Sequence, residues 1–236
     1  MRPTILPRAR FRALPLLLAT LAMLAACSRP LGSGEAELAT RLFGDTLDQD
    51  RVRLIDNGLV GITRQSYPVR PRVTCRERIL PPPEGPVITG RTAGVVLGSW
   101  VHLRPALFRP DFAARVDGAA NLLAAMFIAH ELTHVWQWQN RALTGYTPLR
   151  AALEHATLTD PYLFDPDSPA DFLDFGYEQQ AVLVEEYICC ATLDPEGART
   201  ARLRETLSAA MPVAERPLDL PVLVPAGGDA PQGICS

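Results

Sequence analysis

The sequence predicts an α+β fold, with a small sheet in the first half of the chain and a block of helices after it. Three observations carry this. Between 51 and 103, short β-branched segments alternate with Gly, Asn and Pro turn residues, which is strand composition. From about 117 onward the apolar positions recur at helical spacing. The two kinds of segment do not alternate along the chain, which excludes a βαβ arrangement and leaves sheet and helices segregated.

The elements follow in order. Arg2, Arg8, Arg10 and Arg12 open the chain, and an apolar run from 13 to 26 follows, too short for a comfortable membrane span and suited to a signal-peptide core. It ends in Leu24-Ala25-Ala26-Cys27, which resembles the lipobox of bacterial lipoproteins. That resemblance implies a signal peptide over 1–26, lipidation of Cys27 and a tether over 27–35. With Ser28 rather than aspartate after the cysteine, it also implies an outer-membrane location facing the periplasm. A domain over 36–211 and a Pro-rich tail over 212–236 complete the expected organisation.

Within that domain a first helix is expected at 36–43. The runs 51–55 and 59–62, joined by Asp56-Asn57-Gly58, have the composition of a β-hairpin. Prolines make 81–86 a loop. Further strands are expected at 87–89, 94–97 and 100–103, with Gly98-Ser99 as a tight turn, and Asp117 is the expected cap of a long helix reaching Asn140. Helices at 149–157, 177–193 and 199–210 follow, and the Asp- and Pro-rich stretch 159–174 reads as a long ordered loop whose Tyr162, Phe164 and Phe172 need somewhere to pack.

Composition removes several function classes. The chain has 23 basic and 26 acidic residues, and every basic residue is arginine. Losing residues 1–26 removes four arginines and no acid, leaving 19 against 26, a formal charge of −7. Such a surface does not suit nucleic acid. Besides Cys27 there are Cys75, Cys189, Cys190 and Cys235. An oxidising compartment permits disulfides among them. Adjacent cysteines on a helix point about 100° apart, so Cys189 and Cys190 can each meet a distant partner, Cys75 or Cys235.

The chemistry is concentrated in Ala129-His130-Glu131-Leu132-Thr133-His134. Residues i and i+4 share a helix face, so His130 and His134 can converge on one metal ion, while Glu131 sits one position along and reaches a water without being a ligand. Neutral imidazoles suit Zn2+, and zinc with an open position lowers the pKa of bound water to about 7. A neighbouring carboxylate then serves as general base. With only 4 histidines in 236 residues, the spacing is not a product of composition.

Zinc wants a third protein ligand. The metzincin extension would need Gly at 137 and His at 140, where this chain has Gln137 and Asn140. A downstream helix opening at Phe175-Gly176-Tyr177-Glu178-Gln179-Gln180-Ala181 offers Glu178, with Glu185 and His155 as alternatives. Glu178 and Glu185 are two turns apart, about 10.5 Å of rise, so they cannot both ligate one ion.

A small sheet preceding an HExxH helix is similar to the build of zincin-type metallopeptidases, whose edge strand near the metal binds extended peptide. The hairpin around Gly98-Ser99, carrying His102, is the candidate edge. The motif His-Glu-Leu-Thr-His-Val-Trp-Gln with the later Tyr-Glu-Gln-Gln-Ala resembles the Vgr-related proteins of Gram-negative bacteria and the metallopeptidase-like family found beside contractile injection systems. The resemblance covers 129–139 and 175–181, with a looser echo over 95–113. It implies His130, His134 and Glu178 as zinc ligands, Glu131 as general base and a peptide or protein substrate. The usual pattern also places Asp four residues after the ligand to orient a histidine; Val182 stands there, so orientation must come from elsewhere. Tyr146, Tyr162, Tyr187 and His155 are the candidate donors to a developing oxyanion. The alternative function is a non-catalytic zinc-binding scaffold or assembly lipoprotein with envelope or secretion-system partners.

Overall fold

The computed structural model describes residues 28–166, 168–214, 218, 220–225 and 231–236. The expected signal peptide and Cys27 lie outside the described residues. Strand β1 (Ser28–Arg29) pairs antiparallel with β2 (Arg53–Asp56). A later hairpin supplies the other half of the sheet, β5 (Gly94–Leu97) and β6 (Trp100–Leu103), and β6 runs parallel to β2. The order is β1-β2-β6-β5, so β5 is an edge. Leu54, Val101 and Leu103 are fully buried beneath it.

Two expectations for this region are corrected. Residues 28–35 are not a tether: β1 is in the sheet, and helix α1 begins three residues before the expected start, at Ser33–Phe43. Glu35, completely buried, holds this segment by accepting bonds from Arg29, from Gly32 N and from Phe112 N. The hairpin expected at 51–62 does not form. Asn57 makes an Asx turn instead, its Oδ1 accepting from Leu59 N, and its own N–H donates to Leu103 O. The chain therefore leaves the sheet there, and Leu59 is exposed.

It leaves to form a separate two-stranded ribbon, β3 (Arg64–Pro68) with β4 (Val87–Arg91). Between these strands lie the short helix α2 (Cys75–Ile79), closed by a Thr74/Glu77 capping box, and the proline loop. After β6, a tiny hairpin of β7 (Arg115–Val116) and β8 (Ala119–Asn121) turns at Asp117, whose φ is 52°. Asp117 is thus a turn residue. Asn121 caps the long helix, its Oδ1 accepting from Ala124 N.

That helix, α3 (Leu122–Gln139), touches β5 and β6, α1 and α6 (Tyr177–Leu193), and is apolar almost all round because it has no solvent side to speak of. Between them come α4 (Arg141–Thr144), ended by left-handed Gly145, then α5 (Pro148–Thr157) and a loop pinned by buried Phe164 and Phe172. Helix α7 (Ala198–Ser208) packs on α6. Described residues of the expected tail belong to the fold: β9 (Val222–Leu223) runs parallel to β8, and Ile234 and Cys235 are buried. Disulfides Cys75–Cys189 and Cys190–Cys235 tie α2 and the C-terminal segment to α6. Among the described residues no helix is long and apolar enough to cross a membrane.

Candidate metal centre

Helices α3 and α6 cross so that the motif face of one meets the opening turns of the other. His130 Nε2 and His134 Nε2 lie 3.2 Å apart, and Glu178 Oε2 is 3.2 Å from the first and 3.4 Å from the second. All three side chains are nearly buried. A tetrahedral ion with bonds of about 2.0–2.1 Å keeps its ligand atoms about 3.3–3.4 Å apart, so the three separations fit one divalent cation.

The partners on the far side of each ligand explain which atoms face inward. Gln137 Oε1 accepts from His134 Nδ1 at 2.9 Å, and the Gln137 amide donates to Tyr177 O and Gln180 Oε1. His130 Nδ1 lies 2.8 Å from Glu185 Oε1, an ion-pair contact rather than an aligned hydrogen bond. Tautomers assigned to satisfy these partners carry their protons on Nδ1 and leave both Nε2 lone pairs facing each other. His155 Nε2 binds Glu178 Oε1 at 2.7 Å, which leaves Glu178 Oε2 buried without a hydrogen bond. Three lone-pair atoms thus face one another within 3.4 Å, a donor set whose chemistry suits a divalent cation.

The carboxylates around the two histidines make the centre one that draws positive charge, whether a proton or a cation. Burial pulls the His130 pKa down, but the Glu178 and Glu185 carboxylates outweigh it and hold it well above the usual histidine range. Burial pushes Glu178 up, and the three histidines overcome this and hold it well below the usual carboxylate range. Glu131 is raised, first by burial and also by repulsion from Glu178 and Glu185, with His130 and His134 opposing. Its carboxylate makes no hydrogen bond to any described residue and lies against β5, where a Cβ on Gly94 would come within 2.3 Å of Oε1.

The centre opens into a cleft of about 890 Å³. Edge strand β5 and Ile88 of the ribbon form one part of its wall, and Tyr146, His155 and Tyr162 another. The sequence-derived residues His130, Glu131, His134 and Glu178 are all brought together here. His102 is not: it lies on the inner strand β6, its Nδ1 3.1 Å from Asn57 Nδ2. The edge beside the centre is the other arm of that hairpin. Sequence reasoning missed the roles of Glu185, Gln137 and Gly94. The i, i+3 spacing of His134 and Gln137 was the one signal available.

No family model matches the chain, and no curated protein is detectably similar to it. Among solved structures, the effector domain of Pseudomonas aeruginosa VgrG2b is similar at 21% identity and a TM-score of 0.48, over 85% of this chain and 99% of that one.

Proposed function

We propose that this chain is a zinc-dependent, zincin-like peptidase carried on a lipoprotein of the bacterial envelope. The observation that supports it most is the convergence of His130 Nε2, His134 Nε2 and Glu178 Oε2 within 3.4 Å beside an unpaired Glu131, at the base of an open cleft.

His130, His134 and Glu178 would hold the ion. When bound, zinc supplies Lewis acidity toward a substrate carbonyl and acidifies a water to a pKa of about 7. Glu185 and Gln137 fix the two imidazole rings, and His155 fixes the Glu178 carboxylate, so the ligand atoms are held before any ion arrives. Glu131, its pKa raised by burial, accepts a proton from the attacking water as the new C–O bond forms. It returns that proton to the leaving nitrogen as the C–N bond breaks. Edge strand β5 offers unpaired backbone groups to an extended peptide, the usual geometry of strand addition.

The lipobox reading places the acyl anchor at Cys27, one peptide bond before β1. The domain would then sit against the bilayer with no spacer, facing the periplasm. Intact-mass measurement of the mature protein checks it: a diacylated or triacylated N-terminal cysteine is expected, and an unmodified residue there contradicts the anchor.

The function is tested by incubating zinc-loaded protein with a complex peptide mixture and reading new termini by mass spectrometry, with Glu131→Gln as control. New termini that depend on Glu131 support the peptidase reading. A mixture left intact favours the scaffold.

A further inference from the structure

On the peptidase reading, a hydrogen-bond donor opposite the zinc would add to its stabilisation of the carbonyl oxygen as that oxygen becomes negative. The candidates can be separated by what their polar atoms already do. His155 Nε2 is bound to Glu178 Oε1. The Tyr67 hydroxyl donates to Gln65 Oε1 at 2.6 Å. Tyr187 is buried in the core. Tyr146 is almost fully buried, packed edge-on against Tyr177 with ring centroids 5.0 Å apart, and meets neither histidine ring.

The hydroxyls of Tyr146 and Tyr187 also make no hydrogen bond to any described residue, so Tyr162 is set apart by its ring contacts with two histidines of the centre. Its ring centroid is 6.2 Å from that of His130, 5.8 Å from His155 and 6.4 Å from Tyr67. Its hydroxyl makes no hydrogen bond to any described residue. The backbone around it is fixed: Tyr162 N donates to Asp160 Oδ1, Asp160 is paired with Arg70, and Phe164 two residues on is buried.

We propose that Tyr162 is a catalytic residue whose hydroxyl donates a hydrogen bond to the scissile carbonyl oxygen as negative charge develops on it. This rests on the peptidase reading above. The ring enters the cleft from the 158–176 loop, while Glu131 enters from α3 against β5. A carbonyl held between them would meet the proton acceptor and the oxyanion donor from different elements.

The test uses the full chain, zinc-loaded, as wild type, Tyr162→Phe, Tyr162→His and Tyr146→Phe. Peptide hydrolysis is read as kcat and KM, and zinc content by elemental analysis. Binding of a phosphinic pseudo-dipeptide, whose tetrahedral phosphinate shares one negative charge over two oxygens, is measured by calorimetry. Tyr162→Phe should keep one zinc per chain and a KM within about twofold, lose about 10²-fold in kcat and bind the phosphinate about tenfold or more weakly. Tyr162→His, which returns a donor, should recover part of the loss. The proposal is overturned if Tyr162→Phe retains wild-type kcat and phosphinate affinity, or if Tyr146→Phe takes the loss instead; the peptidase reading survives either result. Wild-type protein that holds zinc but neither cleaves peptides nor binds the phosphinate overturns both.

Discussion

Glu185 reaches His130 from behind: Oε1 lies 2.8 Å from Nδ1, while Glu178, two turns earlier on the same helix, stands 3.2 Å from Nε2 of the same ring. The imidazole bridges a gap along α6 that no single metal ion could span. Arg76, 3.1 Å from Glu185 Oε2, takes up the other end of that carboxylate. On the proposed metal reading, two carboxylates seven residues apart serve one histidine in different capacities, Glu178 as co-ligand and Glu185 as the group that aims the ring.

This distinction is measurable as zinc affinity. Loss of a carboxylate that orients a metal-binding histidine typically costs 10–100-fold, so Glu185→Gln should weaken zinc by about that factor while still reaching one zinc per chain at saturation. Glu178→Gln removes a ligand and should weaken it further. Competition against a chelator of known affinity gives both numbers. Equal affinity for Glu185→Gln and wild type would show that the 2.8 Å contact does not orient the ring.

Glu131 touches no ligand atom, so replacing it separates binding from chemistry. Glu131→Gln preserves side-chain volume and leaves zinc content and thermal unfolding near wild type, but it lacks a proton acceptor. Hydrolysis should fall by about 10²-fold or more. If the Glu131→Gln protein cleaves like wild type, another group is the base.

The parts of the centre legible in the sequence were those set by helical period. His130 and His134 share a face because they are four apart, and Glu178 was reachable because it opens a second apolar helix. Glu185 was visible only as an alternative ligand, because its role depends on how α3 and α6 cross, which no local spacing encodes. The hairpin expected at 51–62 failed for a local reason with a distant cause: Asn57 spends its side chain on an Asx turn and its N–H on Leu103 O, so Arg53–Asp56 finds its parallel partner some 47 residues later. Residues 28–35 looked like a tether because Gly, Ser and Pro dominate them, yet buried Glu35 draws Arg29, Gly32 and Phe112 onto one carboxylate.

Gly94 owes its identity to Glu131. An added methyl group would fall 2.3–2.9 Å from the carboxylate atoms, so Gly94→Ala must push the Glu131 side chain off its present position without touching a metal ligand. Displacements near 1 Å cost on the order of 10²-fold in rate, and a drop of that order in kcat is expected with zinc affinity unchanged. A steady-state assay beside chelator competition checks it. Unchanged kcat would mean that Glu131 relaxes without consequence.

The two disulfides should differ in a way that loop entropy alone does not predict. Cys75–Cys189 spans 114 residues and Cys190–Cys235 spans 45. The chain-entropy argument makes the first more stabilising by only about 0.8 kcal/mol, with each contributing about 3–5 kcal/mol. Their surroundings separate them further. Cys75 opens α2, its N–H donates to Glu186 Oε2, and the next residue is Arg76, which holds Glu185 against His130. Cutting this bridge frees the helix that positions the orienting carboxylate. Cys190–Cys235 fastens the C-terminal segment, which bonds Asp194, Arg78 and Arg199 and makes no bond to Arg76 or Glu185. Both Cys75→Ser/Cys189→Ser and Cys190→Ser/Cys235→Ser should therefore lose stability by urea unfolding. The first pair alone should also lose zinc affinity, by up to about tenfold, because it acts through the same Arg76–Glu185–His130 chain as Glu185→Gln. Equal zinc affinity in the two double mutants would break that link.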